Sequence, residues 1–179
     1  MQSNLPPPKT ESAVIGKSAL SAFGPLLFAA TMFPGEVDAR AAVNLKQEAQ
    51  IGRCIHEAAS GRTWLERTLW GLRDQEAGWI GAEIANTNGT HDLGPMQINT
   101  WWLPKLSAII GKPPEIVRIW LIHDACFNVQ MARWIFLTEL SANRDYWRAI
   151  GSYHSPTDWK RRDYAISVSK KLKARFGTN

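Results

Sequence analysis

One stretch sets this chain apart from a plain run of helices. It is Asn86–Asn99, NTNGTHDLGPMQIN. Its asparagines, glycines and aspartate are turn formers, because Gly tolerates φ > 0 and Asn and Asp side chains bond to nearby backbone. Yet it ends in Met96-Gln97-Ile98-Asn99, where core-type and amide side chains alternate. On either side the pattern is helical. Leu45–Ala59 reads as one helix. A second starts at TWLE, where Thr63 and Glu66 fit a capping box, and carries Leu65, Leu69 and Leu72 on one face to about Glu76, with Gly78 as its stop. Later helices are expected at Trp101–Ile110 (capped by Thr100), Pro114–Leu121, Asp124–Leu140, Asp145–Ile150 and Trp159–Phe176. Tyr164, Ile166 and Leu172 are the inward candidates of the last one. No segment sustains strand alternation. The fold class is mainly α, a compact bundle of short helices with at most a small hairpin near residues 84–98.

The chain's 179 residues suffice for one domain with a real core, and 45% hydrophobic against 21% charged residues is a globular balance. Residues 1–41 read as an export signal. Lys9 and Lys17 precede the apolar run Ser18–Phe33, and Ala39-Arg40-Ala41 fits a small-x-small cleavage site. A membrane anchor is the rival reading, but Gly24 and Pro25 interrupt the run, which is shorter than the roughly 20 residues a spanning helix needs. The expected organisation is a signal at 1–41 and a domain at 42–179, in the periplasm, with no membrane span after cleavage. Cys54 and Cys126 are the only cysteines. A pair in an exported protein suggests one disulfide; the alternative is two separate buried thiols.

Several chemistries have no support. There is no Gly-rich phosphate loop, no Gly-x-Ser-x-Gly elbow, no CxxC and no zinc-type spacing, and His56, His91, His123 and His154 are scattered. No cofactor and no metal is expected. The net charge of +5 comes from the tail, where Trp159–Asn179 holds seven Lys/Arg against Asp163 alone. Such a face is either solvated or meets an anionic partner, and export argues against nucleic acid.

Glu76 is the candidate acid. It ends an amphipathic helix, whose partial negative charge disfavours carboxylate, and Leu72, Ala77 and Trp79 are its neighbours in sequence. A glutamic acid kept protonated near neutrality can act as a general acid; an exposed surface Glu is the plainer alternative. Asp92, before Leu93-Gly94, reads as a turn former rather than a nucleophile, and Glu83 has no special context.

The segments QEAGW, NTNGTHDLGPMQIN, ACFNV and AIGSYHS, in that order, resemble the lysozyme-like lytic transglycosylases. The nearest likeness is to the small single-domain type that accompanies conjugation, type III and type IV secretion and pilus machines. The resemblance spans about Ile51 to Phe176. It implies Glu76 as the catalytic residue and Gly94-Pro95-Met96-Gln97 as the family's loop element. It implies that Met96 packs along the sugar, that Gln97 offers its amide near Glu76, and that Asn99 closes the turn. It places Tyr153 with its hydroxyl toward the catalytic carboxyl, Asn128 after the second cysteine, and Cys54 with Cys126 as a pair. Trp79, Trp101 and Trp102 are candidates to stack on sugar rings, with core packing expected of at least one. The implied substrate is the peptidoglycan glycan strand, cleaved between N-acetylmuramic acid and N-acetylglucosamine to a 1,6-anhydro product. The implied partners are components of a secretion or conjugal transfer apparatus. A hydrolytic muramidase and a non-catalytic wall-binding module are the alternatives. Three positions depart from the family pattern: Ala77 stands where Ser is common, Pro95 where Leu is, and His154 where Asn follows the Tyr.

Overall fold

Among the described residues this pattern gives seven α-helices and one small sheet. The computed structural model describes the backbone of residues 35–177 and the side chains of residues 44–177. The expected signal therefore lies outside the residues whose side chains are described. Helix α1 is Gly35–Ala59 and α2 is Thr63–Glu76. The sheet follows, with β1 Glu83–Ala85, β2 His91–Leu93 and β3 Ile98–Asn99 antiparallel in that order. A 3-10 turn, Thr100–Trp102, leads into α3, Leu103–Ile110. Then come α4 Pro114–His123, α5 Ala125–Asn143, α6 Tyr146–His154 and α7 Asp158–Phe176.

The structure is mainly α, and the hairpin gains a third short strand. β3 forms because Ile98 is buried while Asn99 pairs with Asp92. Helix ends differ from expectation in detail. The N-cap of α2 is Arg62, with no side-chain cap bond, and Thr63 is already helical, so the capping box does not form. Instead Glu66 reaches His56 at 3.3 Å. The stop of α2 is Ala77 rather than Gly78, held left-handed at φ 49° with its N–H on the Arg73 carbonyl. Asn99, not Thr100, caps the 3-10 turn by accepting from the Trp101 N–H at 2.9 Å. Asp124 and Asp145 cap α5 and α6 in the same way.

The core sits where α1, α2 and α5 meet. Ile51, Ile55, Leu65, Leu69, Leu72, Ile135 and Phe136 are fully buried there, and each such side chain contributes roughly 1.5–3 kcal/mol. Helix α7 lies against α6 and α2. Its inward face is Tyr164, Val168 and Leu172 at four-residue steps, with Leu172 and Val168 over Gly71. Ile166 is 55% exposed, because two residues along a helix turn it about 200° from Tyr164. Part of the basic tail is spent internally. Arg175 donates twice to Asp74 at 2.6 Å and lies over the Trp70 ring, and Arg161 pairs with Asp158.

Cys54 on α1 and Cys126 on α5 form a disulfide closing a separation of 72 residues. It ties the two central helices of the core. The chain-entropy model assigns such a loop about 4 kcal/mol. Replacing both cysteines by Ser is expected to lower unfolding free energy by about 2–4 kcal/mol, read as a lower urea midpoint at unchanged slope.

Candidate active site

Glu76 is the last residue of α2, and Ala77 in the left-handed region turns the chain away at once. The carboxyl is thus left at a helix C-terminus, facing the sheet-side loop and α7. Burial pushes its pKa from 4.5 up to about 7. Desolvation is the main cause, a hydrogen bond from Tyr164 opposes it, and the charge of Asp92 adds to the rise. The Tyr164 hydroxyl donates to Glu76 Oε1. Burial and the Glu76 charge hold the Tyr164 phenol well above its usual value, so it remains a donor at any working pH.

Tyr153 was expected to bring its hydroxyl to Glu76. Its hydroxyl instead donates to the Met96 carbonyl at 2.9 Å, and Tyr164 takes the place at the carboxyl. Both phenols lie close enough to Glu76 to feel its charge. The stacked partner of Tyr164 is His154, with ring centroids 4.8 Å apart and planes at 4°.

The loop after β2 is held against the bundle by Asn128. Its Oδ1 accepts from the Met96 N–H, and its Nδ2 donates to the carbonyls of Leu93 and Leu121, each at 2.9 Å. Asn128 is fully buried, and these bonds occupy its amide on both sides. It shapes the loop from behind and offers no free group to a ligand. The expectation of a substrate contact from Asn128 is therefore corrected to a structural clamp. Met96 needs a similar correction: its side chain is 0% exposed and belongs to the core, not to an open wall. Gly94 makes this close approach possible. At φ +67° a Cβ there would overlap the Leu121 carbonyl and the Asn128 amide.

Gln97, at φ 47°, folds its amide back on the Gly94 carbonyl at 2.8 Å and covers Gly78, two residues beyond Glu76. Gly78 has no space for a side chain, because a Cβ would meet Gly94 O and Gln97. The helix end that carries Glu76 and the loop that carries Gln97 are thereby pressed together. Asn99 donates to Thr90 Oγ1 and to Asp92 Oδ1 at 2.9 and 2.8 Å, which fixes the Asp92 carboxylate within the sheet. Trp79 and Trp101 are 50% and 70% exposed, whereas Trp102 is buried edge-on to Trp101 and Trp134. Glu83 pairs with Arg118 and stands apart from this group. A groove of about 990 Å³ between α6 and α7, lined by Trp147, Arg148, Arg162 and Ile166, occupies the face of α7 opposite Tyr164 and includes none of these residues. No cluster of metal-ligating side chains occurs among the described residues.

Two outcomes follow from this geometry. Asn128→Ala would strand the Met96 N–H and two carbonyls. It is expected to cost about 2–4 kcal/mol in denaturant unfolding. The second concerns pH. The folded pKa of Glu76 is raised, so its contribution to stability is full below about 4.5 and is lost as pH rises through about 7. Glu76→Gln removes that loss. Its Tm is expected to match wild type near pH 4.5 and to exceed it at pH 8, by an amount equivalent to about 3 kcal/mol.

No family model matches the chain. Over 105 residues it is 30% identical to the "Invasion protein IagB" of Salmonella typhimurium strains SL1344 and LT2, and equally to that of Salmonella typhi. The similarity covers 58% of this chain and 62% of each relative, so the chain spans less than two thirds of the length of the curated relatives it matches.

Proposed function

We propose that this protein is a peptidoglycan lytic transglycosylase, with Glu76 as its single acid–base. The observation that carries the reading is the Glu76 carboxyl at the end of α2, held by the Tyr164 hydroxyl and enclosed enough that burial pushes it up to about 7, a range in which a general acid works near neutrality. Similarity to the Salmonella invasion proteins and the motif resemblance support it.

In this reading a glycan strand lies against the sheet-side loop beside Glu76. Protonated Glu76 gives its proton to the glycosidic oxygen as the bond from that oxygen to the muramoyl C1 breaks. The carboxylate then takes the proton of the muramoyl 6-hydroxyl, whose oxygen closes on C1. The proton returns to Glu76, water is not consumed, and the product is a 1,6-anhydro sugar. Tyr164 holds the carboxyl in place and favours its ionised form between the two steps. Gln97 lies beside the helix end that carries Glu76, Tyr153 supports the loop from within, and exposed Trp79 and Trp101 offer flat faces to sugar rings. Export to the periplasm and service to a secretion or conjugation apparatus, by opening the wall locally, complete the proposal.

A hydrolytic muramidase is the second reading, and one observation favours it. Asp92 is the carboxylate whose charge reaches Glu76, and hydrolysis uses a pair. Purified protein is to be incubated with peptidoglycan and the soluble products identified by mass spectrometry. Anhydro-muropeptides from wild type and none from Glu76→Gln are the expected result. Reducing-end muropeptides would overturn the transglycosylase reading in favour of hydrolysis, and no product at all would leave a wall-binding module. Asp92→Asn separates the two enzymes further. Removing its charge lowers the Glu76 pKa, so a transglycosylase keeps its activity with the alkaline limb moved to lower pH. A hydrolase that uses Asp92 loses activity at every pH.

A further inference from the structure

The residue that stacks on Tyr164 is itself titratable. His154 is the last residue of α6, where the helix C-terminus favours a cation. Its ring lies flat on the Tyr164 ring, and the Tyr164 hydroxyl is on Glu76 Oε1. Imidazole, phenol and carboxyl thus form one continuous contact from solvent to the buried acid, since His154 is exposed while Tyr164 is 6% exposed.

We propose that His154 is a positioning residue for the Glu76 proton: neutral, its stack holds the Tyr164 hydroxyl on the carboxyl; protonated, it drives that carboxyl toward the ionised form. This rests on the reading of Glu76 as a general acid. Two effects of the imidazolium act in the same direction. Its charge attracts the carboxylate through space, and a cation on the face of a phenol draws electron density from the ring. The second makes the hydroxyl a better donor to carboxylate. A permanently uncharged side chain at this position can do neither.

The groups facing His154 are Asp92 from β2, Lys160 from α7, and Glu76 of α2 through Tyr164. The ring face covered by its neighbours is desolvated, which lowers the His154 pKa from 6.5; Asp92 raises it and Lys160 lowers it, with a net fall. Burial pushes the Glu76 carboxyl up to about 7. Protonated Glu76 beside neutral His154 is the acid-competent arrangement. At lower pH the imidazolium forms and weakens the hold of Glu76 on its proton.

The test needs no glycan. The carboxyl carbons of glutamate are labelled with 13C, and Glu76 is followed by NMR from pH 4 to 9 in the intact protein. The variants are His154→Phe, which keeps a flat uncharged ring, His154→Arg, which places a flat permanent cation there, and His154→Ala, which removes the stack. Arg is expected to weaken proton binding to Glu76 about tenfold relative to Phe. Ala is expected to raise the Glu76 midpoint, because the Tyr164 bond that favours carboxylate is loosened, and Phe is expected to restore it. Identical Glu76 midpoints in Phe, Arg and Ala variants would overturn the proposal. Peptidoglycan cleavage by the same samples separates the two claims. Wild-type cleavage with superimposable carboxyl titrations sinks the role of His154 alone. Shifted titrations without cleavage sink the enzymatic reading and leave the coupling intact.

Discussion

The buried amide of Asn128 is the interaction on which the placement of the loop beside Glu76 depends. The chain between β2 and β3 is irregular, yet Gly94, Pro95 and Met96 are inside the protein. Irregular backbone in a core leaves N–H and C=O groups that no ladder or helix can pair, at a cost of about 1–3 kcal/mol each. There Asn128 accepts from the Met96 N–H and donates to the Leu93 carbonyl, while its second donation ties the segment to Leu121 on α4, and Tyr153 donates to the Met96 carbonyl. Only with those groups satisfied can Met96 sink into the core and turn Gln97 up over Gly78. The alternation of apolar and amide residues in Met96-Gln97-Ile98-Asn99 is therefore a division of labour. Met96 and Ile98 anchor, while Gln97 and Asn99 orient the polar groups around Glu76 and Asp92.

Electrostatics at Glu76 is a contest with a clear winner. Desolvation raises its pKa more than the Tyr164 bond lowers it, and Asp92 adds to the rise. Glu76 also ends α2, and a helix C-terminus is a place that disfavours a carboxylate. A short left-handed residue completes the placement. Ala77 costs about 1 kcal/mol more there than Gly would, so the abrupt turn after Glu76 is maintained by what surrounds it. Gly78 against Gly94 and Gln97 is that surrounding contact.

Much of this was legible because it is local. Helical spacing in Leu65, Leu69 and Leu72 gave α2, and the turn residues of Asn86–Asn99 marked the interruption where the sheet forms. The capping assignments failed for a reason visible in the contacts. Glu66 had a choice between its own backbone and His56, ten residues earlier on α1, and tertiary packing decided. Tyr164 was legible as an inward residue of α7 but not as the partner of Glu76. The two are 88 residues apart, and nothing in local pattern says which buried hydroxyl meets which carboxyl. The signal that existed was chemical: a phenol on the inward face of a highly basic helix needs a buried acceptor. Ile166 was misplaced for a simpler reason, as a residue two positions from Tyr164 faces the other way.

The same accounting explains why Met96 and Asn128 look like ligand contacts in sequence and behave as framework in space. A polar side chain in a turn-rich neighbourhood can be there for a substrate or for the backbone of the turn. Burial decides between them. A group that touches a sugar must have an unspent donor or acceptor on an open face, and Asn128 has neither. Glu76 satisfies the opposite condition. One carboxylate oxygen is held by Tyr164, and the side chain retains partial exposure. A lone acid of this kind suits a reaction in which the proton given in the first step is taken back in the second, because no other group is then required to carry it.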